Sequence, residues 1–313
     1  MRLKLKPLLN TAAAVLIIML NISVCSAWQN PDEIPPDESF HLLVSPTLSL
    51  YYGSANEYVF NYGHKISELN WDVKPLICAG VNAAAYVDKF SLTGSYSQAF
   101  NRSTGSMRDY DWDDSGTLTN YSKHDQTQGG CLFLDIAGGY SLVISDIFKM
   151  GLKIGYRYSH LVFFAENGYL RYKSNNWVQE PAYGYGVIYQ QKYSIPYTGY
   201  ILSATLPWFE IHSDFNYSFI GACSCKDSHL KTAVDYYDSM KYIQYFSAGL
   251  YISRSLLQNL KISGGADIQY IPLTKGDTYS VDTTSGNRSL TTRNTAGIML
   301  RTVDVQIRLT AVL

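Results

Sequence analysis

Regular alternation of apolar and polar side chains is the most pronounced pattern in this sequence, and it is clearest just before position 220. An extended strand places successive side chains on opposite faces, so such a segment presents one apolar and one polar face. The polar face carries charged groups that a sandwich core would bury without partners, and it therefore requires water or a polar lumen. The apolar face consists of Phe209, Ile211, Phe215, Tyr217 and Phe219, and the polar face of Glu210, His212, Asp214, Asn216 and Ser218.

The same alternation recurs along the chain and predicts about ten strands, an even number that suits a closed antiparallel barrel. The segments that show it lie at about 41–62, 69–85, 90–100, 132–142, 152–159, 188–205, 208–219, 242–253, 260–270 and 303–313. Short turns near residues 88, 145, 207 and 258 alternate with long polar segments, which are 101–130, 167–184, 223–238 and 278–294. We interpret the long segments as extracellular loops and the short turns as periplasmic.

Composition narrows the fold class. Tyr accounts for 27 of the 313 residues and Gly for 23, which suits strands that face lipid on one side and a polar interior on the other. No run of about 18 or more apolar residues follows the N-terminal segment, so membrane-spanning helices are not predicted. We therefore predict an all-β protein, a ten-stranded antiparallel transmembrane β-barrel of the outer membrane of a Gram-negative bacterium.

The first 27 residues have the parts of a secretory signal peptide, namely a basic start, an apolar run and small residues before Trp28. A lipid anchor on Cys25 is the alternative. Removing Arg2, Lys4 and Lys6 from the 25 basic residues leaves 22 against 26 acidic ones, so nucleic acid is not expected as a partner. Residues 28–313 are predicted to form a single barrel domain, which we expect to be a monomer.

Four cysteines remain beyond the predicted signal peptide, and they are Cys78, Cys131, Cys223 and Cys225. An oxidising compartment allows disulfides among them, and free thiols are equally consistent with the sequence. Cys223 and Cys225 with His229 are ligand types that bind zinc, but no fourth ligand is evident. We predict no metal site and no cofactor.

Two acidic motifs in separate predicted loops contain groups that are suited to binding water and transferring protons. Asp109 and Asp111 point to the same side of an extended segment, where close carboxylates raise one another's pKa and can hold water. Asp227 lies two residues from His229, so it can orient the imidazole while the other ring nitrogen takes a proton from water. Taken separately, each motif is more often a solvated turn. The second motif also has lipid-facing parity, so its side chains face inward only if a bulge intervenes, for which Gly221 is a candidate, or if the strand has already left the membrane.

The two motifs together carry a resemblance to a known family. The segments are MRDYDWDDS at 107–115, SKHDQT at 122–127 and FNYSFIGACSCKDSH at 215–229, with SELNWDVKPLICAG at 67–80 and YQQKYSIPYTGY at 189–200. Over most of the chain beyond the signal peptide, the sequence resembles the omptin family of outer-membrane proteases. The resemblance implies that a water molecule attacks the scissile carbonyl without a covalent intermediate. It assigns the acidic pair to Asp109 and Asp111, the base to His229 and its orienter to Asp227, while Ser122 receives no catalytic role.

The same resemblance implies a specificity pocket and a lipid site. Family members that cleave at basic residues carry two acids in the primary pocket, which correspond here to Glu57 and Cys225. A thiol at the second position removes negative charge, and Lys226 beside it is expected to disfavour a basic substrate side chain further. Lipopolysaccharide, which the family requires for activity, is implied to bind basic and aromatic groups on the outer wall, and the matching residues are Tyr156, Lys192 and Lys241.

We therefore predict an endopeptidase that cleaves peptides or proteins at the cell surface, with outer-membrane lipid and lipopolysaccharide as further partners. A non-catalytic barrel that serves adhesion or structure is the alternative. A passive pore is disfavoured, because side chains largely fill the interior of a barrel of about ten strands. Loss of peptide cleavage in variants of Asp109 or His229 would distinguish the enzyme from both alternatives.

Overall fold

The structure is a computed structural model that describes residues 40–143 and 147–313. The predicted signal peptide, the alternative anchor at Cys25 and the predicted turn near residue 145 lie outside the described residues. Among the residues that are described, no helix is both long and apolar enough to cross a membrane.

Antiparallel strands make up almost the whole of the described chain. They are β1 (His41–Asn61), β2 (His64–Val87), β3 (Phe90–Ala99), β4 (Ser103–Trp112), β5 (Leu118–Gln128), β6 (Leu132–Val143), β7 (Phe148–Tyr172), β8 (Gln179–Thr205), β9 (Glu210–His229), β10 (Val234–Leu257), β11 (Leu260–Asp282) and β12 (Thr292–Val312).

The twelve strands occupy ten positions around one ring. β3 and β4 follow one another along the same side of β2, and β6 and β5 do the same along β7. β1 pairs with both β2 and β12, which closes the ring. The predicted ten-stranded antiparallel barrel is confirmed.

The interpretation of residues 101–130 as a loop is wrong. These residues form most of the β4–β5 hairpin, which extends the wall upward beyond β3 and β6. Their outer face meets water rather than lipid, so both faces of each strand carry polar side chains and the period-2 apolar signal is absent.

Of the other three predicted loops, 167–184 and 223–238 consist largely of strand, and 278–294 does so only at its two ends. β7 and β8 continue to a short 3₁₀ turn at Lys173–Asn175, and β9 and β10 are joined only by residues 230–233. β11 ends at Asp282 and β12 begins at Thr292. The strands therefore rise well above the membrane, and both predicted active-site motifs lie on a regular wall whose alternation decides which side chains face inward.

The lower half of the barrel has the two faces that the sequence predicts. On β9, Phe215 and Phe219 are exposed on the outside, whereas Asn216 and Ser218 are buried inside. The outer apolar positions of this strand end at Ile220, and Ala222, Ser224 and Lys226 occupy the outer face above it. The membrane-spanning part of β9 therefore ends near residue 220.

Two ion pairs join charged side chains in the lower lumen. Arg157 Nε donates a hydrogen bond to Asp135 at 2.8 Å, and Lys153 Nζ lies 3.5 Å from Asp214 Oδ1. The ring of His212 packs 6.4 Å from that of Tyr251. Arg157 thus faces the lumen, and Asp214 belongs to an internal polar network, as the parity of each strand predicts.

An apolar layer fills the lumen above this network. Trp71 is fully buried and stacks between Phe163 and Tyr189, with ring centroids 5.9 and 5.4 Å apart. Further members of the layer are Leu69, Met107, Tyr193, Met240, Ile243, Ile271 and Ile298. Side chains that fill the interior in this way do not suit a passive pore. They also provide a dry floor for the cleft at the mouth.

Candidate active site

A bulge turns the Asp227–His229 motif inward. Below the bulge the even positions of β9 face the lumen, and from Gly221 onward the odd positions do. Phe219 and Ile220 are both exposed on the outside, and the pairing with β10 shifts on both sides of Ile243. A Cβ atom at Gly221 would lie 3.2 Å from the backbone oxygen of Ile243, closer than ordinary van der Waals contact. The bulge for which the sequence offered Gly221 as a candidate is therefore present.

Asp227 and His229 form a hydrogen-bonded pair on the inner face of β9. His229 Nε2 lies 2.6 Å from Asp227 Oδ2. Asp227 is 3% exposed, whereas 37% of the His229 side chain is exposed. The edge of the His229 ring also contacts Tyr236, with ring centroids 5.3 Å apart. These contacts fix the imidazole and leave its Nδ1 atom available to water or substrate.

Asp109 and Asp111 lie on the inner face of β4. The sheet register makes Asp109 the partner of Ser122, and Asp111 the partner of Asn120. The Ser67 hydroxyl donates to Asp109 Oδ1 at 3.5 Å, and the Asn120 amide donates to Asp111 Oδ2 at 3.4 Å. Each half-buried carboxyl thus has one neutral donor and retains acceptor capacity for a water molecule.

The two motifs act on each other electrostatically. The charge of His229 lowers the pKa of Asp109, and the charges of Asp109 and Asp111 raise the pKa of His229. Such electrostatic effects decline with distance. The fold therefore places the Asp109–Asp111 motif close to the Asp227–His229 motif, although the two motifs are about a hundred positions apart in sequence.

Protonation near neutral pH follows from the surroundings of each group. Burial, and then the Asp111 carboxylate, raise the pKa of Asp109 to about 7. Burial raises the pKa of Asp227, although the hydrogen bond from His229 opposes it. For His229, burial lowers the pKa, but the hydrogen bond and the charge of Asp227 outweigh burial, and the pKa lies above its usual value. These groups can exchange protons near neutral pH, as general acid–base catalysis requires.

His124 is a neighbour of this site that the sequence interpretation missed. Its Nδ1 lies 2.7 Å from the Asn167 carbonyl oxygen, which can only accept, so Nδ1 carries the proton. Its Nε2 therefore accepts a hydrogen bond from the Ser122 hydroxyl at 3.1 Å. Ser122 lies opposite Asp109, so His124 helps to fix the wall behind that carboxyl. The two-residue spacing of Ser122 and His124 reveals this contact only when the segment is treated as a strand.

Glu57 and Cys225 are buried on the inner face near the two candidate motifs. Leu69 pairs with Glu57 on one side and with Asp109 on the other, so Glu57 and Asp109 are two strands apart, roughly 10 Å between backbones. The expectation that Lys226 disfavours a basic side chain here is wrong. Strand alternation turns Lys226 outward, where its Nζ lies 2.8 Å from Asp235. Asp238, which the sequence interpretation placed in a loop, pairs instead with Cys225.

All four cysteines of the described chain are buried free thiols. The sulfur atoms of Cys223 and Cys225 are 3.6 Å apart, well beyond the length of a disulfide bond. Within residues 40–143 and 147–313, no three or more His, Cys, Asp or Glu side chains are arranged to hold a metal ion. His229, the histidine nearest these thiols in the chain, is directed at Asp227 instead.

Tyr156, Lys192 and Lys241 are exposed. They belong to the outer faces of β7, β8 and β10. Lys192 pairs with Ser224, and Lys241 with Ala222, on the β9 strand that lies between them. The two lysines therefore lie two strands apart, opposite positions of β9 that are two residues from each other, just above the end of the lipid-facing band.

Comparison with known proteins gives concordant matches over nearly the whole chain. A protein-family model described as the Omptin family matches residues 39–310. Protease 7 of Escherichia coli O157:H7 is 26% identical over 285 residues, which cover 86% of this chain and 86% of that protein. Plasminogen activator of Yersinia pestis is 22% identical over 298 residues, which cover 91% and 93%. The crystal structure of outer membrane protease OmpT from Escherichia coli has the same fold, with a TM-score of 0.81 at 22% identity over 91% of this chain and 100% of that one.

Proposed function

Since this chain belongs to the omptin family, we propose that it hydrolyses peptide bonds with a water molecule activated between the Asp109–Asp111 pair and the Asp227–His229 pair. The protein is an outer-membrane protease of a Gram-negative bacterium, and its active site faces the outside of the cell. Its substrates are peptides or proteins. The resemblance described above motivates the residue assignment, and the geometry of the cleft supports it.

Each step of the proposed reaction uses a group whose position is described above. Water binds between the half-buried carboxyls of β4 and the imidazole of β9. As the water oxygen attacks the scissile carbonyl carbon, His229 takes a proton from it and Asp227 stabilises the resulting imidazolium. Asp109, whose pKa is about 7, can present a proton to the developing oxyanion. His229 then returns its proton to the leaving amine as the C–N bond breaks.

The bulge at Gly221 is the observation that supports the proposal most strongly. A strand of uninterrupted parity would turn Asp227 toward the outside, and the bulge places it inside, 2.6 Å from His229 and within electrostatic reach of Asp109. A barrel that served only adhesion or structure would gain nothing from this inward placement. The buried aspartate would be a cost to stability without a compensating role.

Cleavage of a peptide library by the refolded barrel tests the proposal. We expect cuts by the wild-type protein that disappear in His229→Ala and Asp109→Asn. His41→Ala and Asp125→Asn are the matched controls, because both residues are exposed, His41 at the periplasmic end of β1 and Asp125 on the outer face of β5, and both should cleave normally. If the folded wild-type barrel cut no peptide, with or without lipopolysaccharide, an adhesive or structural role would become the better account.

We also propose that lipopolysaccharide binds the outer wall through Lys192 and Lys241, with Tyr156 at the membrane boundary. Two exposed lysines on the strands that flank β9 suit phosphate groups of a lipid in the outer leaflet. The double variant Lys192→Ala/Lys241→Ala is expected to need more lipopolysaccharide for half-maximal cleavage. Lys89→Ala, in an exposed turn at the opposite end of the barrel, is the control. An unchanged lipopolysaccharide requirement in the double variant would rule out this binding mode.

A further inference from the structure

A groove on the outer wall lies across the barrel from the two lysines of the proposed lipopolysaccharide site. It has a volume of about 500 Å³ and extends over the outer faces of β12, β1, β2 and β4, which are consecutive neighbours in the ring. Lys192 and Lys241 belong to β8 and β10, on the opposite side of that ring. The groove is therefore a separate feature of the outer wall.

The sheet register arranges the lining of the groove in rows. Asn56, Asn70 and Arg108 are Cα partners across β1, β2 and β4 and form one row. Ser54 and Arg301, which pair across β1 and β12, lie in the row below. Because strand alternation turns the residues between these rows into the lumen, a ligand in the groove meets side chains from four strands without entering the barrel.

Two buried polar atoms in the groove have no hydrogen-bond partner in the described part of the chain, and they are Asn56 Oδ1 and Arg108 Nε. Asn56 is only 2% exposed, and its amide nitrogen donates to Tyr58 and to Asn70. The Nη2 atom of Arg108 donates to Asp72 at 2.6 Å. Such orphaned atoms are rare in folded proteins. One acceptor and one donor are thus left for a ligand to complete.

The lower end of the groove has an excess of positive charge. Asp72 is paired with Arg108 at 2.6 Å and with Lys74 at 3.2 Å, so two cations share one carboxylate. Arg301 is exposed and takes part in none of the ion pairs within residues 40–143 and 147–313. A free guanidinium binds a phosphate or carboxylate through two parallel hydrogen bonds. The ligand of this end is therefore an anion.

The upper end of the groove suits a sugar ring. Tyr58 and Tyr110 line it from the strands on either side of Glu68, which is the Cα partner of both. Glu68 is paired with Lys65, so its charge is already matched while its carboxylate can still accept hydrogen bonds from hydroxyl groups. A sugar packs its C–H faces on tyrosine rings and directs its hydroxyls to such polar groups.

The groove begins where the lipid-facing band ends. Tyr52 and Val303 are exposed apolar residues that pair across β1 and β12. Ser54 and Arg301 are two residues farther up the same strands, which corresponds to about 7 Å. The groove thus lies at the height at which the polar parts of outer-leaflet lipids meet water.

We propose that this groove binds an acidic sugar, with the acidic group on Arg301 and a hydroxyl group donating to Asn56 Oδ1. The two residues are diagonal neighbours on β12 and β1, so a single sugar unit reaches both. Acidic sugars occur in the saccharide part of membrane glycolipids and also in free saccharides, and both sources present the same groups to the groove. The proposal does not depend on the peptidase function.

Calorimetric titration of the refolded barrel in detergent tests the proposal. The probe is the soluble disaccharide of 3-deoxy-octulosonic acid, and the same disaccharide with its carboxyl groups reduced to alcohols is the neutral comparison. The wild-type protein should bind the acidic form at least about 10-fold more tightly, because the neutral form lacks the partner of the guanidinium.

Two variants probe the groove by different means. Arg301→Gln removes the free cation and should weaken binding of the acidic disaccharide about 10-fold. Ser54→Trp leaves every cation in place and should prevent binding, because the half-buried Ser54 lines the groove and a larger side chain would fill it. Arg293→Gln is the matched control, since Arg293 is an exposed arginine of the same strand outside the groove, and it should bind normally. Heat-modifiable migration on a gel shows that each barrel has folded.

A competition experiment identifies the source of the sugar. Deep-rough lipopolysaccharide, which has the same disaccharide attached to lipid A, is added to the variant Lys192→Ala/Lys241→Ala with the soluble disaccharide bound. Displacement would make the membrane glycolipid a ligand of the groove, and binding without displacement would indicate a free saccharide. Equal affinity for the acidic and neutral disaccharides, no binding of either, or binding by Arg301→Gln and Ser54→Trp that matches Arg293→Gln would overturn the proposal. Peptide cleavage is not part of the readout, so failure of the peptidase proposal would be seen separately.

Discussion

Buried acids in the lower and upper halves of the barrel have different partners. In the lower half, Asp135 lies 2.8 Å from Arg157 and Asp214 lies 3.5 Å from Lys153. Each carboxylate thus has a cation from another strand, which offsets the cost of leaving water. Asp267 and Asp304 are also buried in this half, form no ion pair among the described residues and each have one carboxyl oxygen without a partner. We infer that the two ion pairs serve the stability of the barrel.

Above the apolar layer, the acids have few or no such partners. Glu57 and Asp238 form no ion pair among the described residues, and Asp227 has only a histidine. Asp109 and Asp111 rely on neutral donors. Groups that are left in this state destabilise the free protein and gain from the arrival of substrate, which is typical of functional sites. The comparison teaches that buried acids without a cation occur in both halves, and that the upper half differs by its ion-pair-free Asp109 and Asp111 beside the hydrogen-bonded Asp227–His229 pair.

The largest expected effect distinguishes two histidines of β9, one in each half. His229→Ala should lower kcat about 10²–10⁴-fold, because the general base is lost. His212→Ala, in the lower lumen, should cleave at nearly the wild-type rate, provided that the barrel folds. Steady-state kinetics of both variants on one peptide measure the contrast. A similar loss in both would mean that the two halves do not differ as described.

Breaking a pair in the lower half should affect stability instead of catalysis. Arg157→Met leaves Asp135 buried without its cation, and a loss of about 3–5 kcal/mol in the free energy of unfolding is expected. Lys226→Met removes an ion pair on the outer face, and a loss of about 0–1 kcal/mol is expected. Urea unfolding in detergent, followed by tryptophan fluorescence, measures both. Equal losses would show that the lower network does not stabilise the barrel.

The sequence predicted the lower half of the barrel well, because lipid on one side and a polar lumen on the other impose a period of two. It failed for the upper half, where water replaces lipid and both faces become polar. Residues 101–130 and 223–238 therefore resembled loops. These segments are polar because their outer faces contact water, and their polarity does not indicate that strands are absent.

The site was only partly predictable for the same reason. Asp109, Asp111, Asp227 and His229 were found from local spacing and from a resemblance, and the structure brings them together at the mouth. His124 and Asp238 were missed, and the effect of Lys226 was misjudged. Each of these depends on which face of an upper strand a residue occupies, and a one-residue bulge reverses that face. Parity could be followed through Gly221 only once the register was known.

A smaller effect concerns the free energy of unfolding, which the buried Asp238 carboxylate lowers. Burial, with the nearby Asp227, raises the pKa of Asp238 from 3.8 to about 6. Between these values the folded state binds more protons than the unfolded state, so the free energy of unfolding falls as the pH rises from about 4 to 6 and stays lower above. Asp238→Asn should therefore gain about 1–3 kcal/mol near pH 8 and little near pH 4. Urea titrations at both pH values provide the measurement, and a destabilised variant near pH 8 would contradict the account.

The smallest expected effect is a shift in the pH dependence of catalysis. Asp227 keeps the pKa of His229 above its usual value, although burial acts to lower it. His229 must be neutral to take a proton from water, so wild-type kcat/KM should rise with pH through that raised pKa. In Asp227→Asn burial prevails, and the rise should move to lower pH while the maximal rate also falls. Asp125→Asn, on the exposed face of β5, should keep the wild-type profile. A rise that stays in place in Asp227→Asn would show that the titrating base is not the histidine that the bulge at Gly221 turns inward.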